Sequence, residues 1–94
     1  MITLNEETIE AIKAEMESIP EKYQKPFNSV HEGLAVLREE YVELENEIFF
    51  GGKKAIKIAL TPSYTTPEQI WKDNIRKEAI QVAAMAARII QELT

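Results

Sequence analysis

Between Ser29 and Phe50 the large apolar residues Val30, Leu34, Leu37, Tyr41, Leu44 and Ile48 recur in steps of four and three. That spacing returns side chains to one stripe of an α-helix, and a stripe sustained over so many turns requires other helices to cover it. Ser29 and Glu32 have the spacing of a capping box, which starts the helix near Val30. Gly51-Gly52 offers left-handed C-cap residues and predicts an end near Phe50.

Two further helices flank this one. Thr3 and Glu6 are spaced as a capping box, and Ile9, Ile12 and Met16 follow at helical intervals before Pro20, giving a first helix over about residues 4–19. Glu21 to Asn28, with Pro26, reads as a connector with one helical turn around Tyr23. Thr66-Pro67-Glu68-Gln69 combines an N-cap, Pro at the first helical position and Gln at the third, so a third helix runs from Pro67 to about Leu93 with no internal Gly or Pro. Lys53 to Leu60 is ambiguous between a helical turn, a strand and an ordered loop, and Thr61 to Thr66 reads as loop.

Three helices without a convincing strand predict an all-α fold: a helical bundle of three main helices per chain, one domain over residues 1–94. Ninety-four residues lie near the lower limit for a self-sufficient core, so the bundle is expected to be completed by oligomerisation. A net charge of -5 argues against a nucleic-acid or anionic-membrane binder. The chain has no cysteine, which excludes thiolate catalysis and sulfur-ligated zinc. The acidic start, Met1 to Glu7, lacks a signal-peptide pattern, and the best apolar stretch, Val82 to Ile90, is broken by Arg88. Both predict a cytoplasmic protein that does not span a membrane.

Glu32, Glu39, Glu40, Glu43 and Glu47 fall within roughly 100° of arc on the second helix. Like charges three and four residues apart repel, so a solvated face gains nothing from the arrangement, and either a divalent cation or basic side chains are expected there. On the third helix Glu78 lies inside the apolar stripe of Trp71, Val82, Met85 and Ile89, with Asn74 and Gln81 on its flank. A carboxylate in that position needs a donor, a cation or a metal; Arg38, Arg76 and Arg88 are the candidate ion-pair partners. Trp71 and Tyr41 read as apolar core more readily than as base-stacking residues. Ala83, Ala84, Ala86 and Ala87 allow a neighbouring helix to come close, and Gly33 points to tight packing or to room for a ligand.

From His31, the string HEGLAVLREEYVELENEI, followed by RKEAIQVAAMAARII, resembles the MazG-like nucleotide pyrophosphohydrolases of the all-α NTP pyrophosphatase superfamily, the small phage and bacterial subgroup in particular. The likeness covers the two long helices. The family pattern is Glu-Glu-x-x-Glu on one helix and Glu-x-x-Asp on the next. Glu39, Glu40 and Glu43 match the first half; in the second Glu78 matches, but Gln81 stands at the Asp position. The resemblance implies a homodimer or homotetramer that hydrolyses a nucleoside triphosphate to the monophosphate and pyrophosphate with Mg²⁺ or Mn²⁺. It implies Glu40, Glu43, Glu78 and Gln81 as metal ligands and Glu39 as the catalytic residue that orients or deprotonates water. Lys53, Lys54, Lys72 and Arg76 are candidate triphosphate contacts by sign, and His31 is a candidate nucleotide contact. The alternative is a MazG-like helical module for binding or assembly that has lost catalysis, with Gln81 as the mark of the loss.

Overall fold

The computed structural model describes residues 2–59 and 65–94. Its elements are α1 (Glu6–Ser18), a 3-10 turn (Glu21–Tyr23), α2 (Val30–Ala59) and α3 (Pro67–Leu93), with no strand among the described residues. Helix α3 is central: α2 packs along one side of it and α1 along another. The expected loop over Thr61 to Tyr64 lies outside the described residues.

Two of the three predicted caps hold. Ser29 Oγ accepts from the Glu32 N–H at 3.1 Å, and Thr66 Oγ1 accepts from the Gln69 N–H at 3.2 Å. The cap of α1 is Asn5 and not Thr3: Asn5 Oδ1 accepts from the Thr8 N–H at 2.8 Å, which moves the helix start to Glu6. Asn caps as well as Thr does or better, so the nearer residue takes the role.

The predicted stop at Gly51-Gly52 is overturned. Neither glycine has positive φ, and α2 continues through both to Ala59, which also resolves the ambiguous segment as helix over Lys53–Ala59. Two interior glycines cost on the order of 1 kcal/mol each relative to Ala. Packing beyond them offsets this: Gly51 is buried and Ala55 is only 1% exposed.

Contact between α2 and α3 is close because small residues meet there. Ala84 and Met85 of α3 are buried, and a Cβ on Gly33 of α2 would stand 2.9 Å from Leu93 Cδ1 and 3.2 Å from Ile89 Cγ1. At the same end Arg88, 11% exposed, donates twice to the Glu92 carboxylate and once to the Lys25 carbonyl. Its guanidinium also lies 4.2 Å from the Phe27 ring centroid, and the Phe27 N–H donates to Glu92. This ion pair ties the connector to the last turns of α3.

The heptad-like seam divides between two faces. Leu37 and Leu44 are half-buried, whereas Val30, Leu34, Tyr41 and Ile48 remain 42–58% exposed. Tyr41 is therefore not a core residue within one chain. No helix among the described residues is long and apolar enough to cross a membrane.

Candidate metal centre

Midway along the α2–α3 groove, one carboxylate oxygen from each of Glu40, Glu43 and Glu78 lies within 4.8 Å of the other two. Glu40 and Glu43 are one helical turn apart on α2, and Glu78 faces them from α3. Among the described residues none of the three makes an ion pair. Arg88 is taken by Glu92, and Arg76 reaches Glu7 of α1 at 3.8 Å. The charge of Lys77 partly counters the negative groups around Glu78.

Crowding and burial make two of these carboxyls harder to ionise. The Glu40 carboxyl is pushed above its ordinary range first by burial, then by the charge of Glu43 and a hydrogen bond to it, and further by Glu78 and Glu15. Glu78 is raised by burial first, then by Glu43, with Glu47 adding to the effect. Glu43 is the shared neighbour in both cases. Gln81 closes the group: with its amide turned so that Nε2 faces the acids, it donates to Glu78 Oε2 at 2.8 Å and Glu40 Oε2 at 3.1 Å. In that orientation it is a donor to the carboxylates; offering its oxygen to a cation requires the amide to rotate by half a turn.

Of the remaining expected site residues, Lys54 shares a groove with Glu43, a shallow one of about 440 Å³ that Asn46, Glu47 and Phe50 also line. Glu39 is exposed on α2 and is not one of the three converging acids. Lys53 lines a different groove, with Ile48, Phe49 and Trp71. Lys72 pairs with Glu68 at 3.0 Å and, with Arg76, faces α1. His31 is exposed in the first turn of α2, about 14 Å along the axis from Glu40.

Two acids join the centre that the family pattern does not include. Glu15 of α1 acts on Glu40, and nothing in its own helix signals that, because the docking of α1 is not written in its periodicity. Glu47, one turn beyond Glu43, lay in the acidic arc. Its Oε1 is buried without a hydrogen-bond partner among the described residues, folded over Gly51, where a Cβ would stand only 2.0 Å away.

The arrangement suits a hard, oxygen-seeking cation. Carboxylate oxygens spaced to surround one ion, two acids whose affinity for a proton is raised by burial and by their neighbours, and a buried oxygen lacking a donor nearby all favour positive charge at this point. No protein-family model, curated protein or solved structure matches the chain.

Proposed function

We propose that this chain is a Mg²⁺-dependent nucleotide pyrophosphohydrolase of MazG-like type, acting on a nucleoside triphosphate in the cytoplasm to yield the monophosphate and pyrophosphate. The observation that carries the reading is the convergence of Glu40, Glu43 and Glu78 from two helices, with none of the ion pairs among the described residues involving them. Magnesium keeps several of its waters and needs few carboxylates, so three acids suffice. When bound, Mg²⁺ or Mn²⁺ neutralises phosphate charge and acidifies a water.

The residues divide the remaining work. Glu40, Glu43 and Glu78 would hold the cation. Gln81 hydrogen-bonds Glu78 and Glu40 and so fixes how their oxygens point. Glu39, exposed on α2, is assigned the role of accepting a proton from attacking water, and Lys54, bordering the groove at Glu43, that of offering positive charge to a phosphate.

The test is a panel of ribo- and deoxyribonucleoside triphosphates with Mg²⁺ or Mn²⁺, assayed for pyrophosphate. Release from at least one member, lost on chelation and in Glu43→Gln, is expected. A whole panel at background would overturn the enzymatic reading. A second reading, a helical assembly module without catalysis, is favoured by one observation: Gln81 satisfies Glu78 and Glu40 without any metal. It predicts that metal binding emerges only in Gln81→Asp.

A further inference from the structure

We propose that α1 is a releasable arm: it leaves α3 as one unit while α2 and α3 stay packed, and so uncovers a strip of α3 centred on Arg76 and Ile80. Release does not depend on what the carboxylate centre binds.

The apolar hold on α1 is slight. None of its 13 residues is buried, and α3 alone among the helices receives it. Ile9, Ile12 and Met16 form its inward stripe and are only half-buried. Two open grooves of about 330 and 350 Å³ run between α1 and α3; Arg76 and Ile80 line both, which sets them beneath the arm with a groove on either side. A close-packed contact leaves no such space. The α2–α3 contact, by comparison, buries Ala55, Ala84 and Met85. Of two contacts so unequal in one small domain, the weaker opens first.

The polar hold is electrostatic and exposed. Among the described residues one ion pair spans the contact, Arg76 Nη2 to Glu7 Oε1 at 3.8 Å, with side chains 50% and 86% exposed. Such a pair is weak in water. Beyond it, α1 carries five glutamates to one lysine, and Lys72, Arg76 and Lys77 border the grooves beside it. That attraction is screened by salt. Alone, α1 is a poor helix: it is short, and Glu15 and Glu17 put negative charge at a C-terminal end that has no base in its last turn. An undocked α1 therefore melts.

The clamp at the end of α3 fixes where release stops. Arg88 holds the Lys25 carbonyl and Glu92 holds the Phe27 N–H. From Ile19 to Gln24 the hydrogen bonds are local: Gln24 Nε2 donates to the Ile19 carbonyl at 2.7 Å and the Tyr23 N–H to the Pro20 carbonyl at 2.8 Å. The hinge lies over residues 19–24. Released, the arm also withdraws the charge of Glu15 from Glu40, so its two positions differ in the charge around the centre.

Native-state hydrogen exchange on the full natural chain, followed residue by residue at low urea, tests the proposal. Amides over residues 10–18 should exchange together, with a shallow urea dependence of their own and at least about hundredfold less protection than the amides of Ala84 and Met85. Raising KCl from about 0.1 to about 1 M should lower protection in α1 alone. Arg76→Glu should lower it there about fivefold and leave α2 and α3 within about twofold. Amides of α1 as protected as those of Ala84 and Met85, with the same urea dependence, would overturn the proposal. So would α1 amides with no protection at all, or an Arg76→Glu effect spread equally over the three helices.

Discussion

The indole N–H of Trp71 on α3 donates to the backbone carbonyl of Glu47 on α2 at 2.9 Å, one turn from the carboxylate centre. A side chain on one helix thus anchors the backbone of the other where Glu47 and Gly51 face the groove. Trp71→Phe keeps most of the apolar contact and removes the donor, so it should cost about 1–2 kcal/mol in urea unfolding followed by circular dichroism. An unchanged midpoint would mean that the bond contributes nothing.

The opposite end of the α2–α3 contact is set by Gly33. Alanine there gains about 1 kcal/mol of helix propensity. It also presses on the end of Leu93, with Cδ1 2.9 Å from the added Cβ, and on Ile89 Cγ1 at 3.2 Å. The two effects should nearly cancel in Gly33→Ala, while Gly33→Leu should destabilise by about 1–3 kcal/mol through overpacking. Equal stability of the two variants would show that the helices have room to spare.

Arg88 is the structural ion pair of this fold. It joins Glu92, the Lys25 carbonyl and the face of Phe27, so Arg88→Ala should cost roughly 2–3 kcal/mol and loosen the connector. Chemical unfolding with hydrogen exchange over residues 24–28 checks both effects. A loss confined to a few tenths of a kcal/mol would reduce the cluster to a surface pair.

The pH dependence of stability has two limbs of opposite sign. Glu40 and Glu78 are raised in the folded chain, so their protonated forms favour folding; that stabilisation is full below the unfolded carboxylate range and is lost as pH rises through the raised values. Glu92 is lowered, chiefly by its hydrogen bond to Arg88, so its contribution is present above the unfolded value and lost as pH falls through the folded one. In chelator, Tm should therefore fall as pH rises out of the ordinary carboxylate range and through the raised values of Glu40 and Glu78, and Mg²⁺ should remove most of that fall. A Tm that ignores both pH and Mg²⁺ in this window would contradict the crowded-acid account.

Much of the fold was legible because local chemistry and tertiary contacts agree. Ser29 and Thr66 cap where their spacing says, and Glu78, an acid inside an apolar stripe, does meet the α2 glutamates. Where contacts between helices decide, local rules failed. Gly51 read as a stop because a glycine pair often ends a helix, yet here it accommodates the Glu47 carboxylate within a continuing one. Tyr41 read as core because periodicity reports that a face wants cover without saying whether the same chain supplies it. Glu15 was invisible because it reaches the centre from α1, whose position depends on the whole assembly.

Calorimetric titration of the natural chain and Glu43→Gln with Mn²⁺, at a pH where the carboxyls ionise, addresses the centre most directly. Saturable binding by the natural chain that disappears in Glu43→Gln is predicted, alongside a metal-free variant more stable than the natural chain by about 0.5–1 kcal/mol, because the neighbour raising both Glu40 and Glu78 has lost its charge. No Mn²⁺ binding by the natural chain, or binding that survives the loss of Glu43, would contradict it.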